Sequence, residues 1–297
     1  MNALIFRAGL WLRGVTALAG RLCWAGLLLL PHPAEAAELR ICQADPQRYA
    51  YRMALTRLIL ERTERPGERS QLRAYADGPD PTQERCLGLL RQGQVDLVYL
   101  PPSKELLREF SSIKIDLHKG MLGYRLLLIH KKDRALFEQV NSLADLRRLT
   151  GGFGRQWADF GMFERNGLPV VGVAQGSALL PMLQSGRFHY FHRGLHEAWA
   201  ELEAHPELNQ LMVEPRIALY YPFPVYYMFR ADKLALRQRF EKGLERIQAD
   251  GSFDQLFLQY FQAIARRARL DSRTIIEIEH SLPEGLPPVD AQLWRKS

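Results

Sequence analysis

The chain has 297 residues with 40 Lys and Arg against 33 Asp and Glu, a formal charge of +7 at neutral pH. The basic residues are interspersed with acidic ones and never form the Lys/Arg run that marks a nucleic-acid surface, so the surplus is read as ordinary solubility and no nucleic-acid partner is expected. The length exceeds what one compact core usually holds and suits two lobes of roughly 100 to 150 residues.

Residues 1–36 carry Arg7, Arg13 and Arg21, an apolar stretch from Leu22 to Leu30, Pro31, and then Ala34-Glu35-Ala36. That pattern predicts a cleaved signal peptide, with export to the periplasm. A membrane anchor would need an uncharged apolar window of roughly 18 residues, which Arg13 and Arg21 interrupt. Cleavage would remove three Arg and one Glu and leave a charge of +5 on the remaining 261 residues. Two cysteines, Cys42 and Cys86, would then remain in an oxidising compartment, either as a disulfide or as two buried thiols.

From there the hydrophobic pattern alternates. Leu39–Cys42 reads as a strand, Tyr51–Glu64 as a helix broken by Pro66-Gly67, and Gln71–Ala76 as a second strand. A helix capped by Asp80 with Pro81 at its first position and ended by Gly93 follows. Val95–Leu100 is apolar enough for a strand covered on both faces. Further strands are expected at Ile113–Leu117 and Leu126–Ile129, then a short helix capped by Ser142 and Asp145. Leu149–Phe153, Pro169–Val173 and Phe188–Phe191 read as strands that alternate with helices at Gln156–Arg165 and Ser177–Gln184. After a helix at Leu195–Glu203, the aromatic segment Ile217–Phe229 is predicted to cross back to the first lobe. Two last helices, Ala231–Ala249 and Ser252–Ala265, are split by Asp250-Gly251, with Ser252 and Gln255 as a capping box. The fold class is therefore α/β, with two lobes each built on a βα sheet and joined by two hinge crossings. The expected boundaries are 37–122 plus 223–297 for the first lobe and 123–222 for the second.

Three segments carry a family resemblance: Leu89-Leu90-Arg91-Gln92-Gly93-Gln94-Val95-Asp96-Leu97-Val98, Met182-Leu183-Gln184-Ser185-Gly186-Arg187-Phe188, and Asp250-Gly251-Ser252-Phe253. In this order they resemble the bacterial extracellular solute-binding proteins of family 3, the periplasmic amino-acid-binding type. An uncharacterised subgroup is resembled by Lys119–Arg125 and by Arg187–Gly194. The resemblance implies a two-lobed, type II periplasmic-binding-protein-like fold, probed by a small solute and read by an ABC permease or a membrane sensor. It also implies an Arg for the ligand carboxylate in a Thr-x-x-Arg turn, but the matching residues here are Ser103-Lys104-Glu105-Leu106, with Arg108 two positions on. The Asp that would hold an α-ammonium is replaced by the His189–Gly194 stretch, where Arg193 has the opposite charge. A plain α-amino acid is thereby disfavoured.

Residues expected near the cleft are Tyr49 and Tyr51 after the first strand, Tyr99, Pro101 and Ser103 after the third, and Arg125 on the first strand of the second lobe. Gly154 is expected to open a helix whose free amides favour an anion, with Arg155 and Trp157 presenting a charge and a flat face. Arg193 reads either as an anion clamp or as the ion-pair partner of Glu197 one turn on. Tyr51 and Tyr99 read equally as core. His189, His192 and His196 lie close in sequence, but strand alternation separates the first two, so no metal and no cofactor are expected. The reading is a monomeric solute-binding protein without catalytic residues. The alternatives are a dehydratase-like enzyme on the same fold, for which only Glu105, Asp159 or a His can be nominated, and an envelope interaction protein without a small ligand.

Overall fold

The computed structural model describes residues 37–46, 48–75, 81–157 and 159–289. Residues 1–36, expected as a signal peptide, and Asp80 lie outside the described residues. Among the described residues, no helix is long and apolar enough to cross a membrane.

The first half of the chain runs β1 (Ala37–Ile41), α1 (Ala50–Thr63), β2 (Ser70–Ala74), α2 (Gln83–Arg91), β3 (Val98–Leu100), α3 (Lys104–Glu109), β4 (Phe110–Ile113) and β5 (Tyr124–His130). Next come the short helices α4 (Arg134–Phe137) and α5 (Leu143–Leu146), then β6 (Gly151–Gly154), α6 (Phe160–Arg165), β7 (Val170–Val173), α7 (Leu179–Gln184), β8 (Tyr190–Gly194) and α8 (Ala198–Ala204). The chain ends with β9 (Leu211–Tyr220), β10 (Tyr226–Arg230), α9 (Leu234–Ala249), α10 (Ser252–Ala268) and β11 (Thr274–Glu277).

In the first lobe β1 and β2 pair in parallel, and β10 lies antiparallel between β3 and β4. A single parallel bridge from Ile41 to Leu97 joins the two small sheets. The segment expected as one buried parallel strand, Val95–Leu100, is thus split. Its first part continues the parallel register, and its last three residues accept β10 from the opposite direction. The second lobe is one six-stranded sheet in the order β11-β9-β5-β8-β6-β7.

The repeated Gly turns have the geometry their sequence implies. Gly93 and Gly186 each follow a helix with φ of 69°, and their amides bond back to Leu90 O and Leu183 O at 3.0 and 2.9 Å. A left-handed residue closes the helix there, which Gly adopts without a Cβ penalty. Glycine has a different role in β6. A Cβ on Gly152 would stand 2.2 Å from the Phe188 ring, so the bare strand lets that ring cover it.

Several boundaries differ from the sequence reading. The cap of α2 is Thr82, which accepts from Arg85 N at 3.2 Å. β4 begins at Phe110 rather than Ile113 because it pairs with Arg230 at the end of β10. Ser252 does not form a capping box, since its hydroxyl bonds Asp250 Oδ1 at 2.5 Å. The Ser142 cap of α5 stands, with its oxygen accepting from Asp145 N at 3.2 Å.

The chain crosses between the lobes at Gly120–Tyr124 and Tyr221–Val225. Asp116 pins both crossings: its carboxylate accepts from His118 N at 3.1 Å, Gly120 N at 2.6 Å and Val225 N at 3.0 Å. A third crossing follows α10. The sequence assigns all of 223–297 to the first lobe, but β11 pairs in parallel with β9 at the edge of the second lobe's sheet. Arg273 fixes this passage by donating to Ala268 O at the end of α10 (2.6 Å), and to Glu214 O (2.6 Å) and Ile217 O (3.0 Å) on β9. The tail then returns, and Lys114 of the first lobe reaches Gly285 O at 3.2 Å.

Cys42 and Cys86 form a disulfide. It ties the end of β1 to α2 inside a small core with Leu89, Leu90, Val98 and Met228.

Candidate functional site

The first-lobe wall is built at the start of α1. Tyr49 precedes the helix and Tyr99 sits on β3, both buried, and their rings lie 6.0 Å apart. Between them is Arg52, one turn into α1, whose guanidinium carbon is 5.2 Å from the Tyr49 ring and 5.0 Å from the Tyr99 ring. Guanidinium on a ring face is favourable, more so away from water. Arg52 Nε donates to His118 Nε2 at 3.3 Å. Among the described residues no carboxylate lies within ion-pair distance of Arg52. Gln43 closes the corner: it is 4% exposed, its Nε2 donates to the Tyr49 hydroxyl at 3.2 Å, and its carbonyl accepts the Tyr99 hydroxyl. Gln43 Oε1 is buried without a partner, as is His118 Nδ1.

The second-lobe wall comes from the end of β8 and from α8. Arg193 lies over Trp157 at 5.4 Å and Phe191 at 5.1 Å, and its terminal nitrogen meets Glu197 Oε1 at 3.0 Å and Glu201 Oε1. Burial opposes the charge on Glu197, but Arg193, His196 and Arg125 outweigh it and hold the carboxyl well below the usual range. Of the two sequence readings of Arg193, the geometry realises the ion pair with Glu197, one helical turn on. His196 is pushed down to about 4 by burial, against the pull of Glu197 and helped by Arg52, Arg125 and Arg193.

Deeper in the second lobe, Arg125 on β5 belongs to a closed polar cluster. Its Nε donates to the Tyr221 hydroxyl at 2.8 Å, and that hydroxyl donates to Asp159 Oδ2 at 2.6 Å. Arg125 Nη2 is 3.6 Å from the same carboxylate. His192 Nε2 is 3.9 Å from it, beyond a direct hydrogen bond, so its influence there is electrostatic. Burial raises the Asp159 pKa, but His192, Arg125 and Tyr221 together bring it down to about 2.

The remaining expected residues are placed as follows. Tyr51 is core: its hydroxyl donates to Leu117 O at 2.7 Å, and its ring is edge-on to Phe257, Tyr260 and Phe261. Pro101 follows β3, and Ser103 caps α3 by accepting from Leu106 N at 3.2 Å. Arg108 falls in the last turn of α3 and is exposed, so it does not replace the missing Arg. Gly154 does not open a helix. It ends β6, paired with Val173 of β7, and α6 begins only at Phe160, so its amide belongs to a sheet and not to an anion-binding helix terminus. Gly154 serves packing, since a Cβ there would stand 2.4 Å from the Trp157 indole. Arg155 is exposed and donates to Gly172 O at 3.2 Å. No group of three or more His, Cys, Asp or Glu side chains suited to a metal occurs among the described residues.

The structure thus gathers Tyr49 and Tyr99 around Arg52, and Trp157 beside Arg193, and leaves Pro101, Ser103, Gly154 and Arg155 outside both groups. Gln43, Arg52 and His118 were not legible from the sequence, and His196 stood out there only as one of three neighbouring histidines. The only signal was Arg52 lying three residues after Tyr49, nearly one helical turn.

No protein-family model matches the chain, and no curated protein matches it by sequence. Solved structures match by shape. A histidine kinase sensor domain with similarity to periplasmic binding proteins is 16% identical over 77% of this chain and 96% of its own, with a TM-score of 0.53. An ancestral arginine-binding protein bound to arginine is 16% identical over 77% of this chain and 100% of its own, with a TM-score of 0.52. A probable amino-acid ABC transporter extracellular-binding protein from Bacillus subtilis is 16% identical over 76% and 97%, with a TM-score of 0.54. The chain has the two-lobed periplasmic-binding-protein-like fold.

Proposed function

We propose that the protein is a periplasmic solute-binding protein that captures a small polar or anionic solute between its lobes and presents the closed form to an ABC-type permease or a membrane sensor. One observation carries this reading: Arg52 is clamped between Tyr49 and Tyr99 without a carboxylate to neutralise it among the described residues. A part-buried guanidinium held this way keeps its charge and offers two planar donors, the arrangement that recognises a carboxylate or another oxyanion. The two-lobed fold supports the reading, since lobes of this kind can close on a ligand held by such a guanidinium.

The proposal assigns no catalysis. The groups able to move protons in the second lobe, Asp159 and His192, are 7% and 2% exposed, and Asp159 is committed to Tyr221 and Arg125. A base needs reach to a substrate proton, which these groups lack.

The test is a thermal-shift screen of amino acids, hydroxy and keto acids, polyamines, sugars and phosphonates, with calorimetry and a turnover assay on each hit. Stabilisation without product is the expected result. Conversion of the hit, or no stabilisation by any class, overturns the proposal.

A further inference from the structure

We infer that the ligand is a small α-hydroxy carboxylate rather than an α-amino acid; this rests on the binding function proposed above. The recognition elements form one rigid corner of the first lobe. Arg52 spends Nε on His118, and its two terminal nitrogens donate to no protein acceptor among the described residues. They form a planar pair that matches the two oxygens of a carboxylate.

Beside them stands an acceptor. Gln43 and Arg52 are fixed by the same two tyrosines: Gln43 Nε2 holds the Tyr49 hydroxyl, Gln43 O receives the Tyr99 hydroxyl, and both rings face the guanidinium. Gln43 Oε1 is left buried and unpaired, a cost that a native structure relieves with a donor. The corner therefore asks for two acceptor oxygens and one neighbouring donor on the same small molecule.

The charge of that donor follows from the surroundings. Gln43 Oε1 is neutral, and the formal charges on this stretch of wall are Arg52, Arg48, 5.3 Å from the Tyr49 ring, and the exposed Asp45, whose Oδ1 accepts from Arg48 N at 2.9 Å. An ammonium placed at Gln43 would face two cations against the single carboxylate of Asp45, which is already bonded to Arg48 N; a hydroxyl donates there without adding charge. The carboxylates of the opposite wall, Glu197 and Glu201, are both engaged by Arg193. Among the described residues Glu201 Oε2 is buried without a partner and is an atom that an ammonium could seek instead, which sets the rival outcome.

The experiment is calorimetry on the purified protein with matched pairs that differ only in the donor: glycolate and glycine, lactate and alanine, phenyllactate and phenylalanine. At least one hydroxy acid is expected to bind about tenfold or more tightly than its amino counterpart, the size of one well-made hydrogen bond against a mispaired charge. Gln43→Leu is expected to abolish the preference of the wild type for a hydroxy acid over its deoxy analogue, for example lactate over propionate. Gln43→Glu, which makes the acceptor anionic, is expected to shift preference toward the amino counterpart. Arg52→Lys keeps the charge but loses the planar pair, and is expected to weaken every carboxylate by about tenfold. Circular dichroism and melting of each variant show whether it is folded, and Gln43→Glu tests selectivity by inversion even if Gln43→Leu is unstable. Tighter binding of the amino acids, or no binding of either set while another compound stabilises the protein, overturns the hydroxy-acid assignment and leaves the binding function standing. Absence of binding by any small molecule overturns both.

Discussion

Arg52 Nε donates to His118 Nε2 across 3.3 Å, and that contact fixes the imidazole as a neutral acceptor. A protonated His118 would lose its lone pair and face a guanidinium. The ring is 3% exposed and is packed by Tyr51 at 5.4 Å and Phe261 at 6.3 Å, so it has no water to turn to. Burial, with Arg52 and His196 nearby, pushes its pKa well below the ordinary value.

Acid should therefore destabilise the protein through its histidines. His118, His192 and His196 are all lowered, chiefly by burial. Below about pH 6.5 the unfolded chain takes protons that the folded chain refuses, so stability falls with pH through that window toward His196's value of about 4. The slope approaches about 1.4 kcal/mol per pH unit for each histidine involved. Melting temperatures between pH 7.5 and 4.5 should decline, and His118→Gln, which keeps an acceptor for Arg52, should flatten the decline. An unchanged slope in that variant would remove His118 from the account.

The Asp159 cluster should behave as a unit. Its carboxyl, brought down to about 2, stabilises the fold above the unfolded value and is lost only as pH falls through about 2, well below the histidine window. Asp159→Asn leaves Arg125 buried without its counter-charge and should cost about 3 to 5 kcal/mol by urea denaturation. A double replacement, Arg125→Met with Asp159→Leu, should cost less than the single change, because it removes the desolvation penalty along with the attraction.

The bridge between Cys42 and Cys86 closes a separation of 44 residues. Loop-closure arithmetic assigns about 4 kcal/mol to it, so Cys42→Ser with Cys86→Ser should lower the urea midpoint clearly under non-reducing conditions. Equal midpoints with and without the bridge would contradict this.

Arg273 joins the end of α10 to β9 through three backbone carbonyls. Arg273→Ala should cost about 1 to 3 kcal/mol through the unsatisfied carbonyls. It should also speed hydrogen exchange in β11 more than in β5, which lies between β8 and β9 inside the sheet. Uniform acceleration across the sheet would deny Arg273 a local role.

Hydrophobic periodicity and Gly punctuation were enough to order most of the elements, because both act over one or two turns of chain. Gly93, Gly186 and Gly251 take the positive φ that ends a helix wherever the chain goes next. The same locality explains the failures. Gly154 reads as the opening of a helix and instead ends a strand, because β7 pairs with it and the Trp157 ring covers it. Thr274–Glu277 gives no strong signal and is a strand because β9 offers it an edge.

By itself, then, the sequence determined the alternating α/β order and offered the paired cysteines as candidates for a bridge. Only the tertiary structure decided which charges are matched. Arg193 and Arg125 find carboxylates and, among the described residues, Arg52 does not; the local sequence offered Glu197 to Arg193 as one of two readings and nothing to separate Arg125 from Arg52. Charge matching is a long-range property: Arg125 meets Asp159 and Tyr221 from distant segments, and Arg52 sits between a tyrosine three residues away and another on β3. The candidate site is consequently a product of the fold, legible once side chains from four separate segments share one corner.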